Sequence, residues 1–557
     1  MRYVTTAAAA LLSIGILAAG ACTDLNETLY DQINEKNFKP TAKDLASLIA
    51  PAYNVLADMY MGWYGNVDVA QEEPGDVLVT PERINGWWDG GVYYRQHTHS
   101  WTLDSYTFSH TWSNCFSSIN NVNRVIYQIE SGTVPVTNDS LKTATLTELR
   151  ALRAYDYSLL LDNFRNVPIV TDFTAKDLPK QNTAQEVYDF VVSELSATIP
   201  NLSRETGLAT YGRMNRWAAE AILARVYLNA EVYVRTPAYD KVIPLTQDII
   251  DSGTYSLDAS YRTPFSVAAG PLDGGLSNEV IWAVPYDAVY LPVSNFHMKT
   301  LKPELRYVFN MNAQPWGGSA GNPQFVDSYD PDDTRKRDTW LMGPQFDSQR
   351  RECEPGRICG YDFTDTIPQF RGKNAFRYGF PVRKYEIYAR ETGASNVDYP
   401  IVRYAEVLMM QAEALLRTGL ADQAALLVTQ VRQRAFAATN PAKATVTGSD
   451  LMQGSRYLYG WYDTDGIVKT GPGGTLVTAT TGGAFGGADI QYGRFLDELG
   501  WEFAVEGHRR QELIRFGVFS TKTWFNHAAD ADTHLQVYPI PQSAIDVNPN
   551  LKQNPGY

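Results

Sequence analysis

The residues of this chain that could do chemistry are aromatic rings set among polar groups. Between residues 60 and 112 stand Trp63, Tyr64, Trp87, Trp88, Tyr93, Tyr94, Trp101, Tyr106 and Phe108, interleaved with Asn66, Asp68, Glu72, Glu73, Asp76, Asn85 and Arg95. A second irregular stretch carries Tyr286, Tyr290, Phe296, Trp316 and Trp340, with Arg371 beyond it. Trp and Tyr offer flat apolar faces with a polar tip. Carboxylates, amides and guanidinium groups supply fixed donors and acceptors. Together they suit non-covalent capture of a ligand with C–H faces and many hydroxyls. The candidate ligand-binding residues are Trp87, Trp88, Trp316, Tyr290, Asn66, Asp68 and Arg371.

Covalent chemistry fares worse. Gly317-Gly318-Ser319-Ala320-Gly321 fits the G-x-S-x-G pattern, but a nucleophile elbow needs a strand before it and a helix after it. Here Pro315 precedes and Asn322-Pro323 follows, which reads as turn. Glu72 and Glu73 are adjacent and point apart, unlike the opposed carboxylates of a glycosidase. His97 and His99, two apart, would share a strand face with His110 nearby, but no Cys or carboxylate sits at ligand spacing. Asp330, Asp332 and Asp333 lack the glycine and terminal Glu of a calcium loop; they read as a turn that caps a helix and pairs with Arg335 and Arg337. No catalytic residue, cofactor or metal is expected.

The elements that must position the rings are helical. Tyr404, Val407, Leu408, Ala412 and Leu415 lie on one face of a 3.6-residue repeat, and Ala424, Leu427, Val428, Val431 and Ala435 repeat the spacing after Gly419. This predicts a helix pair over residues 401–435, turning at a glycine that can take left-handed backbone. Such a pair cannot bury its stripe alone, so others must stack on it. Further helices are predicted over 42–59, 112–130, 147–164, 185–199, 214–234, 238–251 and 494–516. Residues 255–399 are irregular, with short β-rich runs such as 280–284. The fold expected is mostly α: a tetratricopeptide-like helix-pair scaffold with a large loop-rich insert.

Of the 557 residues, 44% are hydrophobic and 20% charged, a composition that folds. The net charge is −14 with no basic run, which excludes a duplex nucleic-acid binder. Residues 1–21 read as a secretory signal, with Arg2 followed by an apolar run too short to span a membrane. The small residues Ala19-Gly20-Ala21 before Cys22 resemble a bacterial lipoprotein cleavage site, which would make Cys22 the acylated N-terminus. Residues 22–40 read as a tether, and 41–557 as a single domain with ligand-face loops at about 60–112 and 255–399. Cys353 and Cys359 could close a small disulfide loop in an oxidising compartment, leaving Cys115 as a buried thiol.

Several stretches together resemble the SusD-like (RagB/SusD) family. They are Trp112, Phe116, Ile119 and Asn123 in TWSNCFSSINNVNRVI, RALRAYDYSLLLDNFRNVPIV (150–170), GRMNRWAAEAILARVYLNA (212–230), SYDPDDTRKRD (328–338), IVRYAEVLMMQAEALLRTG (401–419), EFAVEGHRRQELIRFG (502–517) and YPIPQSAIDVNPNLKQNPGY (538–557). Departures are Arg165 where the family commonly has Gly, and Glu512 where it often has Asp. The resemblance implies a surface-exposed outer-membrane lipoprotein that binds an oligosaccharide and delivers it to a TonB-dependent, SusC-like barrel. The family's ligand contacts sit in variable loops, so no site residue carries over. Two other readings stay open: a glycoside hydrolase, and a peptide-binding helical-repeat lipoprotein.

Overall fold

The computed structural model describes residues 40–557 apart from 86, 355, 356, 359 and 479. Cys22, the leader and Cys359, and with it the Cys353–Cys359 pairing, lie outside the described residues.

The chain's first helix shows how local chemistry sets each element. In α1 (Ala42–Met61) the Thr41 hydroxyl accepts from the Asp44 backbone N–H while the Asp44 carboxylate accepts from the Thr41 N–H, a capping box. Leu45, Ile49, Ala52, Leu56 and Met59 then form one buried stripe, which packs on α2 (Tyr106–Glu130). Next come α3 (Asp139–Phe164), capped by Asn138, and α4 (Ala184–Thr198), opened by a second capping box between Thr183 and Glu186. They are followed by α5 (Arg216–Leu228) and α6 (Tyr239–Asp251), then α7 (Tyr404–Arg417) and α8 (Ala421–Phe436). Each of these helices packs on the next in sequence, so the stack grows as four successive pairs. Gly419 turns the last pair at φ +86°, as its lack of a Cβ allows.

Between α6 and α7 the chain leaves the stack for the long irregular insert. Its base is clasped by two antiparallel strands, β1 (Val280–Val284) and β2 (Tyr399–Arg403). The insert therefore departs and returns at neighbouring points.

Two expectations about helices fail here. The helix predicted over 494–516 is two, α9 (Gly493–Phe503) and α10 (Arg509–Arg515). Between them Val505 and Gly507 take φ of +66° and +77°. The carbonyls freed by this break are all taken: Lys384 Nζ donates to Ala504 O, and the Tyr385 and Tyr399 hydroxyls donate to Val505 O and Glu506 O. Tertiary partners thus replace the helical ladder. The predicted turn at Asn322-Pro323 is a helix start instead. Asn322 caps Gln324 N–H and Pro323 sits at the first position of a short helix, Pro323–Ser328, where its missing N–H costs nothing.

The same break aims Glu502 and Glu506 into the interior. Glu502 accepts from Arg403, Arg434 and Arg335, all buried. Arg403 also donates to Glu506 and Glu279, Arg335 to Asp333 and Glu498, and Arg432 to Glu498. Lys384 completes the set on Glu506. Burial alone would raise the Glu502 carboxyl, but the guanidinium groups of Arg434, Arg403 and Arg335 hold it far below the usual carboxylate range. Asp333 also caps the helix Thr334–Thr339, as expected, whereas Asp330 and Asp332 pair with Lys443 and not with Arg337.

Glu502→Gln removes the one carboxylate that three guanidinium groups share. A loss of about 3–5 kcal/mol is expected in urea denaturation. Because the folded value is depressed, the contribution of Glu502 is full above the unfolded glutamate pKa of about 4.3. It is lost as pH falls below that, so the gap between wild type and variant should narrow in acid.

Candidate functional site

Trp63 follows directly on α1, whose last turn is closed by Gly62. A Cβ at Gly62 would meet Asp58 O at 2.4 Å, so the chain turns tightly and throws Trp63 outward. Trp63 is 41% exposed, and its ring lies 4.6 Å from that of Trp316, tilted by 53°. Tyr64 is next, edge-on to Trp63 at 5.8 Å and to Tyr106 at 5.3 Å. Tyr106 is 56% exposed. Tyr93 lies 6.1 Å from Tyr64, and Trp87 stacks on Tyr93 at 5.7 Å. Six rings from four segments thus form one continuous run, in which Tyr93 is buried and the other five reach solvent around it.

Backbone strain marks its rim. Tyr64 and Asp89 take φ of +57° and +47°, left-handed values that cost a non-glycine residue of order 1 kcal/mol each. What they gain is contact: the Tyr64 hydroxyl donates to Asp89 Oδ1 at 3.0 Å. Asp89 Oδ2 has no partner.

The segment behind Trp316 is fixed by buried cations. Arg83 donates through Nε and NH2 to Gly318 O, and Lys302 Nζ donates to Ser319 O at 2.8 Å. Burial pushes Arg83 down to about 9 and Lys302 well below its ordinary value. Two glycines let the chain pass beneath rings. A Cβ on Gly317 would meet Phe376 at 2.6 Å, and one on Gly318 would meet Trp87 at 2.6 Å. Ser319 is buried, and its hydroxyl lies 2.7 Å from that of Thr80. A histidine is absent from its partners, so the elbow chemistry has no base there.

The sequence-predicted residues divide. Trp87 and Trp316 share the six-ring run. Trp88, although adjacent to Trp87, turns to a second cluster with Tyr94 and Phe370 at 5.5 and 6.3 Å. Exposed Arg371 lies over both Trp88 and Tyr94, at 5.7 and 5.9 Å. The two Trp rings part because the chain reverses at once through Asp89, Gly90 and Gly91, all at positive φ. Tyr290 is 88% exposed and stacks on neither ring cluster among the described residues.

Asn66 is a correction. It is 4% exposed because residues Asn66–Glu72 coil into a helical turn packed against α1, α2 and α10. Glu72, Glu73 and Asp76 are likewise buried and not on a ligand face. Glu72 accepts from Gly507 N–H and is pushed by burial up to about 8, while Asp76 pairs with Arg509. The Asp68 side chain lies outside the described residues. Trp63, Tyr64 and Tyr106 stand among the rings of the stretch read as a ligand face but not among the named candidates, and Asp89 was not singled out. The usable signal was Trp63-Tyr64 directly after the glycine that ends an apolar helix.

Gly318→Ala should displace the Trp87 ring at a cost of about 1–3 kcal/mol. Near-UV circular dichroism and urea unfolding would register both changes; an unaltered aromatic spectrum would show that this packing does not position the ring.

Residues 278–557 match the family model described as the SusD family, and residues 30–228 match one described as "Starch-binding associating with outer membrane". The starch-binding protein SusD of Bacteroides thetaiotaomicron is 24% identical over 459 residues, covering 74% of this chain and 72% of that protein. A SusD superfamily crystal structure from Parabacteroides distasonis superposes with a TM-score of 0.70 at 18% identity, over 93% of this chain and all of that one. The surface glycan-binding protein A of Bacteroides thetaiotaomicron, in complex with laminarihexaose, superposes with a TM-score of 0.63 at 20% identity, over 92% of this chain and 99% of that one. These two structures share the fold.

Proposed function

The chain belongs to the SusD family, and from that premise we propose that it captures an oligosaccharide on the solvent-facing rings of the six-ring run and passes it to a TonB-dependent, SusC-like barrel. The observation that carries this reading is the Trp63–Trp316 pair, exposed at the tip of α1 with its planes 53° apart. C–H faces of sugar rings stack on such aromatics, and sugar hydroxyls are met by the tyrosine hydroxyls and by bridging water. Two planes set at an angle follow a bent chain better than a flat one. Trp88, Tyr94 and Arg371 offer a second ring-and-cation patch for a longer ligand, with Tyr290 as an outlying contact. The starch-binding relative and the laminarihexaose-bound neighbour support a carbohydrate cargo.

In this reading no covalent bond is made or broken. Residues 1–21 are removed, Cys22 is acylated, and residues 22–40 tether the domain to the outside of the outer membrane. Several acyl chains hold such an anchor stably. Among the described residues no helix is long and apolar enough to cross a membrane. A solvent-facing site of this kind binds at roughly millimolar to micromolar Kd, about −4 to −8 kcal/mol. Docking over a barrel raises retention through effective concentration without new sugar contacts.

Affinity gels over a glycan panel, with reducing-end release followed in parallel, test the proposal. Trp63→Ala and Trp316→Ala are each expected to weaken retention roughly tenfold, since base-free aromatic stacking is worth on the order of 1 kcal/mol or more. The double change Trp87→Ala with Trp88→Ala should abolish it while far-UV circular dichroism stays unchanged. Retention by that double variant equal to wild type would reject this surface, and release of reducing ends would reject pure binding.

A further inference from the structure

Behind the second ring cluster lies a group the glycan reading does not use. The sequence places His97 and His99 two apart and suggests a shared strand face with His110 nearby. Instead, His97 ends the short helix Val92–His97 and His99 follows in a turn at φ +50°. His110 pairs with Asp58 on α1. The carboxylate absent from the local sequence comes from far along the chain: His99 faces Asp530, and His527 lies across its ring at 4.3 Å.

The protons can be placed. His527 Nδ1 lies 2.9 Å from the His97 carbonyl and His99 Nε2 lies 2.9 Å from the Pro74 carbonyl. A carbonyl only accepts, so both of these nitrogens carry hydrogen. That leaves the lone pair on His527 Nε2, which is buried with no hydrogen-bond partner, in a residue only 1% exposed. His99 Nδ1 in turn faces both Asp530 oxygens at 3.0 Å, an arrangement satisfied by an imidazolium or by a cation on Nδ1. Leaving a buried acceptor unpaired is unfavourable, and a metal ion would remove that cost.

We propose that His99 Nδ1, His527 Nε2 and an Asp530 oxygen form a binding site for a zinc-like divalent transition-metal ion. These ligand atoms lie within 4.8 Å of one another, and small side-chain rotations bring them to zinc bond lengths of about 2.0–2.2 Å. Two nitrogens and one oxygen favour zinc over calcium or magnesium, which take oxygen ligands. Both histidines already donate their second N–H to a backbone carbonyl, the outer-shell pattern that fixes ligand tautomer and orientation. The rings are also held by stacking: His99 on Phe519 at 4.2 Å and His527 on Trp524 at 3.8 Å. Ala528, next to His527, is exposed, so the ion would enter beneath the surface loop at 526–530. Once bound it ties two distant segments together, the turn at His99 and the loop at 526–530. His97 packs on Phe370 at 5.0 Å, and Phe370 on Trp88 and Tyr94, so the ion steadies the second ring cluster. The proposal stands whatever that cluster binds.

The test uses the full mature chain, freed of metal by chelator dialysis and titrated with zinc and with cobalt(II). One zinc per chain, a zinc-dependent rise in Tm, and the visible bands of a four-coordinate cobalt site are expected. His527→Gln and Asp530→Asn should each weaken zinc binding roughly tenfold or more, whereas His110→Gln should not. Zinc affinity unchanged in His527→Gln would overturn the proposal. Should that variant fail to fold, wild-type cobalt spectra decide: bands support the site, and their absence overturns it.

Discussion

Glu502 answers three arginines at once, and the position of the whole irregular half depends on that. The guanidinium groups come from β2, from α8 and from the helix Thr334–Thr339 within the insert. Around them Arg335, Arg403, Arg432, Arg434 and Lys384 face Asp333, Glu279, Glu498, Glu502 and Glu506, five charges of each sign. Isolated, any of these would be costly to bury. Matched and hydrogen-bonded, they tolerate one geometry and few others. Apolar packing would have joined the same segments, but with less insistence on register; that insistence is what a loop-rich region needs from its support.

Rigidity at the base permits exposure at the rim. Rings at the tip of α1 and along residues 312–319 are left half in solvent, which costs apolar burial. The cost is bearable because Arg83 and Lys302 clamp the strand of backbone beneath them. Left-handed backbone at Tyr64 and Asp89 is sustained in the same way. Strain and solvent-facing apolar area meet at this rim.

Much of the scaffold was legible and much of the site was not. Periodicity marked the α7–α8 hairpin almost to its ends, and 280–284 was readable as a strand. The break between α9 and α10 was invisible because its cause lies in Lys384, Tyr385 and Tyr399, more than a hundred residues away. Pro323 misled because proline breaks a helix inside it and begins one at its edge. Ring density pointed to Trp87 and Trp316, which the structure places half-buried in one run of rings. It did not tell Asn66 from Asp89, since orientation of a short polar side chain depends on whether its backbone is packed on one side or open. The pairing of His99 with Asp530 likewise exists only once the C-terminal segment has folded back.

The two-strand clasp at the foot of the insert has an evolutionary corollary. Its ends leave from adjacent rungs, Val284 opposite Tyr399, so the intervening chain is a closed loop in the entropic sense. Lengthening such a loop is cheap, about 0.6 kcal/mol for each doubling. New tips can therefore be spliced in, exchanged or shortened with little effect on the helical stack. A protein built this way can trade one cargo for another while keeping the body that its neighbours recognise.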